Sequence, residues 1–544
     1  MTDKFEGGFR LSRRGLLKAG GAMLGAAAVA SWTGVAFAQE GDTLKIIHGA
    51  FNMNWSPLQG GGPPLRWQSL WWASPMYFDR NAEIHPYVFT SWTPNEDSTV
   101  WTFKLDPKAT FSDGGQITSE DVKGSWEVAC MPLTGHYRID QVLSGVVGYD
   151  EVLGGSAKEL SGIVAVDPET VEVTLKQSDP VFFMRIANQL APIVRASEAR
   201  DGDGNQVDEW FYPENGGVSS GPFKLVEINL DDGFLAFEAN EHFFGPTPKL
   251  RRIEIRVVED AVTATAMLQA GEYQAHTELV TSTIIDDLGP EFSEGPAVPS
   301  GQHFWFNVNT APLDDPKVRE ALILAVDRKQ VMQAAFPKGP YPMAEEILVG
   351  VAGAENSGFE PYAFDPERAR QLLAESSYGG PERLPKLVMV GVSFPAVEIA
   401  AQNIVEQWRQ NLGITAVELR PSLDTYSLSE VHITRDDAGT RVPDAVTYLS
   451  AVIKTGAGTA VAKMNGYSNA EVDRLLNEGA PLAADDPARI KAAQDAQKAF
   501  REDFAFMPWY HEIMPRWAIA RVAGMDKNLD WQVYEPWNIE LLPA

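Results

Sequence analysis

Apolar and polar residues alternate with a period of two along several short stretches. Each such stretch reads as a β-strand with one face turned inward. The runs are Thr43-Leu44-Lys45-Ile46-Ile47-His48, Val100-Trp101-Thr102-Phe103-Lys104-Leu105, Val171-Glu172-Val173-Thr174-Leu175, Phe223-Lys224-Leu225-Val226-Glu227-Ile228 and Ile253-Glu254-Ile255-Arg256-Val257-Val258. An aromatic-rich strand is expected over 302–308, with Trp305 and Asn307 on one face and Phe304 and Phe306 on the other. Helical spacing appears after Asp315-Pro316, where Val318, Ala321, Leu322, Ala325 and Val326 share a face. An Asp N-cap before a Pro at the first helical position recurs at Asp365-Pro366 and Asp486-Pro487. Thr118 with Asp121 three residues on forms a capping-box pair. A helix over 261–270 is expected to stop at Gly271. A Gly/Pro break at 59–64, flanked by Trp55, Trp67, Trp71 and Trp72, and a turn at Ser112-Asp113-Gly114-Gly115 punctuate the pattern. Strands and helices interleave throughout, which predicts an α/β class without internal repeats.

The first 38 residues stand outside that pattern. Ser12-Arg13-Arg14-Gly15-Leu16-Leu17-Lys18 resembles the twin-arginine export consensus. An uncharged Ala/Gly-rich stretch follows and ends in Ala36-Phe37-Ala38. Basic, mildly apolar and small-x-small segments in that order make a cleavable leader, so residues 1–38 are expected to direct export to the periplasm and be removed. No cysteine follows to carry a lipid, and no later stretch is apolar enough to span a bilayer.

Composition then narrows the function. The 544 residues, 44% apolar and 22% charged, suit a folded chain with a large core. Removing Lys4, Arg10, Arg13, Arg14 and Lys18 with Asp3 and Glu6 takes the balance from 45 basic against 74 acidic residues to 40 against 72. So acidic a surface repels phosphate backbones and anionic lipid, which argues against nucleic-acid or membrane-surface partners. The one cysteine, Cys130, allows neither an internal disulfide nor a thiolate-rich zinc site, and it reads as a small buried hydrophobe. The eight histidines are scattered, with no pair at i, i+4, so neither a resident metal nor another cofactor is expected. Asp201, Asp203 and Asn205 open with calcium-loop spacing, but Gln206 and Tyr212 stand where the loop needs Gly and Glu.

Seven segments, taken in order, resemble the large peptide/nickel-type extracellular binding proteins of ABC importers, solute-binding protein family 5. They are Trp101-Thr102-Phe103-Lys104-Leu105; Phe111 to Gly114 with Thr118 to Val122; Ser220-Gly221-Pro222-Phe223; Asn240-Glu241-His242-Phe243-Phe244; Phe306-Asn307 with Asp315 to Arg328; Tyr362 to Leu373; and Tyr467-Ser468-Asn469 with Val472-Asp473. The resemblance implies a two-lobed periplasmic-binding-protein fold of type II, large variant, with an extra domain inserted in the first lobe. Carried onto this chain, lobe I comprises 41–78, 217–300 and 505–544, the inserted domain 79–216, and lobe II 301–504. It also implies a monomer that captures a small solute by lobe closure and hands it to an inner-membrane ABC permease with its ATPase. The ligand expected is di- or oligopeptide-like; an oligosaccharide, an opine-like conjugate and a metal chelate are the alternatives within the same role.

Candidate ligand contacts follow from position. Trp55 lies just after the first strand, where loops of an α/β lobe approach a cleft. Trp305 and Asn307 sit in the hinge segment, Trp509 and Tyr510 in the returning strand, and Ser219 and Ser220 offer hydroxyls before a Gly-Pro turn. Peptide-binding members carry a W-x-x-D element whose carboxylate meets the peptide α-amino group. This sequence departs there, with Val442-Pro443-Asp444 and then Tyr448, and it lacks the tryptophan. A remote alternative is an exported serine hydrolase, because Gly217-Val218-Ser219-Ser220-Gly221 matches G-x-S-x-G. That motif needs a strand before the serine and a helix after it, whereas Pro222 and an alternating strand follow here, so no catalytic residue is expected.

Overall fold

The computed structural model describes residues 42–543 apart from 50–54, 59–66, 137, 202–203, 206, 278–287, 289–291, 295–299, 338–341, 349, 352, 355–357, 392–394, 422–430, 439–441, 513–517 and 527–532. The leader at 1–38 lies outside the described residues. Among them no helix is long and apolar enough to cross a membrane.

The chain opens with β1 (Thr43–His48), then a hairpin of β2 (Met76–Phe78) and β3 (Ile84–Pro86). A four-stranded antiparallel sheet follows, built from β4 (Phe89–Pro94), β5 (Val100–Leu105), β6 (Ile163–Asp167) and β7 (Thr170–Thr174) in the order β4-β5-β7-β6. Helix α1 (Ser119–Cys130) covers it. The Asp121 carboxylate accepts both the Thr118 N–H at 3.0 Å and its hydroxyl at 2.9 Å, so the capping pair read from the sequence holds the helix start. Strands β8 (Phe223–Asn229), β9 (Phe234–Ala239) and β10 (Arg252–Val257) return beside β1; helix α2 (Ala261–Gln269) leads to β11 (Ala275–Thr277) and β12 (Phe292–Glu294). One continuous core joins this sheet to the four-stranded one, with Phe103 and Trp126 from one side and Leu44, Ile46, Ile253 and Ile255 from the other. Ile47 points the opposite way, against Ala264 and Leu268 of α2. β1 is thus buried on both faces at its carboxyl end, from Ile46 to His48, while Lys45 stays exposed.

The second half is built round β13 (Ser300–Phe306). Helices α3 (Pro316–Leu324) and α4 (Pro366–Glu375), strand β14 (Leu387–Gly391), helix α5 (Pro395–Leu412), strands β15 (Val417–Pro421) and β16 (Ile433–Ala438), and helices α6 (Ala445–Val452) and α7 (Pro487–Glu502) follow. The three Asp-Pro signals all prove to be helix starts: Asp315, Asp365 and Asp486 accept the backbone N–H of Lys317, Arg368 and Ala488 at 2.8, 2.9 and 2.8 Å. Strand β17 (Phe506–Glu512) completes a five-stranded sheet of order β15-β14-β16-β13-β17, and β18 (Ala518–Ala520) then joins the first, seven-stranded sheet of order β12-β18-β11-β1-β10-β9-β8. Lobe I is expected to resume at 505, whereas Phe506–Glu512 pair with β13 and so belong to the second sheet. The alternation along β13 holds: Phe304 and Phe306 enter one core and Trp305 another, on the opposite face. The strand begins two residues earlier than its pattern suggested.

Candidate functional site

Strand directions locate the site. β1 runs parallel to β10 and β11, and β18 is antiparallel to both β11 and β12, so β12 shares the direction of β1. The chain therefore leaves the seven-stranded sheet at the carboxyl ends of its parallel strands. On the other side β13 starts at that same gap. β16 is antiparallel to β13, and β14 and β15 run with β16, so their carboxyl ends face the gap as well. The chain returns from β17 to β18 between strands that are themselves paired, because β13 pairs with β17 and β12 with β18. Carboxyl ends of parallel strands from two sheets thus meet across a double crossing, the usual place for a ligand in open α/β sheets.

The wall contributed by the first sheet is aromatic. His48 ends β1 and Thr277 ends β11, with His48 Nδ1 2.9 Å from Thr277 Oγ1. The Trp67 indole N–H donates to His48 Nδ1 at 3.4 Å. The Trp55 and Trp67 rings stand edge-on to the imidazole, each with its centroid 6.2 Å away. The Trp55 indole N–H is buried and meets no acceptor among the described residues. Trp305 and Trp509 share that property, so it is position that sets Trp55 apart. On β16 of the facing sheet lies Arg435. It is half-buried, and its guanidinium donates to the Gln302 side-chain oxygen. Among the described residues Arg435 meets no carboxylate, whereas Arg328 and Arg501 both pair with Glu345 and Arg489 pairs with Asp444.

The residues singled out from sequence fall into three separate packing clusters. Trp305 stacks on Phe506 at 5.7 Å, with Tyr448 at the edge of the same cluster. Trp509 and Tyr510 come together with Phe304 and Phe336 on the opposite face of the sheet. Trp55 belongs to the core of the first half. Asn307 donates its backbone N–H to His432 O at 2.8 Å and its side-chain amide to Val431 O at 3.1 Å, which ties β13 to the start of β16. Ser220 Oγ accepts the Ala73 N–H at 2.9 Å and donates to Ile193 O at 2.7 Å. The Ser219 carbonyl accepts the Ser112 N–H at 2.8 Å, and the Ser219 N–H donates to the Ser112 hydroxyl at 3.0 Å. The glycines of the G-x-S-x-G match have a packing cause: a Cβ on Gly217 would lie 2.5 Å from the Phe211 carbonyl, and one on Gly221 2.7 Å from the Trp71–Trp72 backbone. With an extended strand directly after it, Ser219 sits on no strand-to-helix elbow.

Asp444 has a different employment from the ammonium partner expected of it. Both its carboxylate oxygens take bonds from Arg489, Nη2 and Nε at 2.7 Å each, and the Thr447 N–H donates to Oδ1 at 2.7 Å, capping α6. Burial pushes the Asp444 carboxyl up, but the bonds and charge of Arg489, with the Thr447 bonds, outweigh that and hold it below the ordinary aspartate range.

A family model, "Bacterial extracellular solute-binding proteins, family 5 Middle", matches residues 83–459, more than half of the chain. The dipeptide-binding protein DppE of Bacillus subtilis is 23% identical over 447 residues, 79% of each chain. Heme-binding protein A of Haemophilus influenzae is 25% identical over 456 residues, 80% of each chain. Among solved structures, the Escherichia coli murein tripeptide binding protein MppA superposes with a TM-score of 0.76 at 20% identity, covering 93% of this chain and 99% of that one. This chain belongs to the bacterial extracellular solute-binding proteins of family 5 and has their two-lobed α/β fold.

Proposed function

We propose that the protein is the periplasmic receptor of an ABC importer for a di- or oligopeptide-like solute. The solute enters the gap between the two sets of strand ends, the lobes close over it, and the closed complex docks on an inner-membrane permease with its ATPase. The protein acts as a monomer and does no chemistry on its cargo. The twin-arginine leader at 1–38 accounts for its export. The observation that carries this reading is that two separately cored sheets exchange the chain twice, from β12 to β13 and from β17 to β18, the arrangement from which hinged closure is built. The open and closed forms of such a protein differ by a few kcal/mol, and the ligand favours closure because only the closed form contacts it from both sides.

Two features favour a peptide-like solute. The dipeptide and murein tripeptide proteins named above bind peptides, and Arg435 offers a half-buried guanidinium that meets no carboxylate among the described residues. A terminal carboxylate from a peptide completes that pair. On the opposite side, just after β1, the buried Trp55 has an indole N–H that meets no acceptor among the described residues. A net of about −8 kcal/mol suffices for micromolar binding. The test is thermal unfolding of the mature protein against peptides, sugars, amino-acid conjugates and metal chelates, with solution scattering on every hit. A peptide that raises the melting temperature and contracts the envelope is the expected result. Stabilisation by a sugar or chelate alone overturns the ligand class. A ligand-saturated envelope identical to the free one overturns closure.

A further inference from the structure

We infer that the hairpin of β2 and β3 carries a site for a divalent first-row transition ion of the zinc type, with Asp79, Glu83 and His85 as its ligands. Pairing of Tyr77 with His85 and of Phe78 with Ile84 sets the hairpin register and brings both ends of its turn to one place. One donor atom from each of the three side chains lies within 4.8 Å of the other two. The Asp79 carboxylate is divided in use. Oδ1 accepts the N–H groups of Asn81 and Glu83 at 2.8 and 2.9 Å, which fixes the carboxylate, while Oδ2 faces His85 Nε2 at 3.3 Å. The imidazole is held in plane from behind, stacked on Tyr77 at 5.2 Å and 23°, and the Tyr77 hydroxyl in turn donates to Glu535 at 3.2 Å.

The charges around the turn support a cation. Two carboxylates converge, and among the described residues no lysine or arginine pairs with either. Arg80, the one basic residue of the turn, reaches Asp526 instead, at 3.6 Å. One imidazole nitrogen with two carboxylate oxygens is a borderline donor set. It suits zinc, nickel or cobalt, and it is too small and too nitrogen-bearing for calcium, which takes six to eight oxygens. Zinc bonds of about 2.0–2.2 Å require the donors to draw closer than 4.8 Å, and the exposed Glu83 side chain can swing in. Solvent fills the remaining position. The spacing rule that excluded a metal from the sequence looked for helical i, i+4 pairs, whereas here a hairpin sets the geometry. Between the ligands sits Ala82, a non-glycine residue at φ +64°, packed against the second-lobe cluster that contains Trp305. An ion bound across this turn therefore stiffens the point at which the first half touches the second.

The test is isothermal titration of zinc chloride into the untagged mature protein after treatment with a chelator, with cobalt absorption as the spectroscopic readout. One equivalent bound, a cobalt band in the visible, and a loss of at least tenfold in affinity in both H85A and E83Q are expected. Glu83 is exposed, so E83Q keeps its fold, and an unchanged apo melting curve verifies this for each variant. Failure of the wild type to bind zinc at micromolar concentrations overturns the site. So does undiminished binding in the two variants, which places the ion elsewhere.

Discussion

Replacing Asp444 with alanine separates a structural carboxylate from a ligand-binding one. In the wild type both oxygens of Asp444 are bonded to Arg489, and the side chains of the pair are 5% and 3% exposed. Arg489 also donates to the carbonyls of Gly479, Ala480 and Leu482, so it cannot swing out to solvent without breaking three further bonds. D444A therefore strands a buried guanidinium. Breaking a buried pair from one side costs about 3–5 kcal/mol, and losing the cap on α6 adds about 1 kcal/mol. Urea unfolding followed by circular dichroism should show a midpoint lowered to match, and D444N should lie between wild type and D444A. The sign of the pH dependence follows from the depressed Asp444 carboxyl. Its contribution is fully present above the unfolded-state value near 3.8, and it disappears as pH falls below that through the lower folded value. D444A and wild type should accordingly converge in stability in strong acid and stay apart at pH 5 and pH 7. If Asp444 instead meets a peptide ammonium, D444N unfolds like the wild type and loses ligand affinity. That result would refute the structural assignment.

Arg435 should behave in the opposite way. R435A is expected to lower affinity for a free-acid peptide ten- to a hundredfold, from about 1.5–3 kcal/mol of charge-assisted bonding, beyond any fall in melting temperature from the lost bond to Gln302; equal binding of the free-acid and C-terminally amidated peptide by wild type sinks the idea. Trp305 is fully buried against Phe500 and Phe506, so W305A should destabilise the fold by about 3–5 kcal/mol, read from urea midpoints. A tenfold affinity loss with wild-type stability would place the ring in the cleft instead. S220A leaves the Ala73 N–H without its acceptor and should cost about 1–3 kcal/mol in the same assay; a wild-type midpoint would show that this bond contributes nothing.

Local rules were legible where a side chain answers to its own neighbourhood. The capping pair of α1, the three Asp-Pro starts and the opposed faces of β13 all come from residues a few positions apart. β14 was not, because Leu387 and Met389 enter one core while Val388 and Val390 enter another, so the run carries no alternation to read. The site was least legible of all. Trp305 and Trp509 are large aromatics on a strand, and a sheet core asks for the same residue as a cleft wall. Asp444 stands before the apolar helix Ala445–Val452, an N-cap signature that the sequence shows as plainly as the resemblance to a ligand carboxylate. Arg435 sits beside Asp436 and Asp437, where the sequence resembles a solvated charge run; only the sheet partner Gln302, more than a hundred residues away, reveals its setting.

That separation in sequence has a mechanical counterpart. β12 and β18 lie side by side in one sheet, and β13 and β17 lie side by side in the other, so the two crossing segments are clamped as a pair at both ends. A single tether would let the lobes twist and slide. On the proposed closure, two connections anchored side by side confine the lobes to swinging about one axis, and the parallel-strand ends on either side approach along one path. His48 and Thr277 ride on one side of that path and Arg435 on the other. A solute gripped by one wall alone has equal affinity for the open and closed forms and shifts nothing, however tightly it binds. On the proposed contacts, a solute that meets both the indole of Trp55 and the guanidinium of Arg435 draws the lobes shut. On that proposal ligand length is selected along with ligand charge, because a solute that reaches one wall only leaves the balance of open and closed forms unmoved.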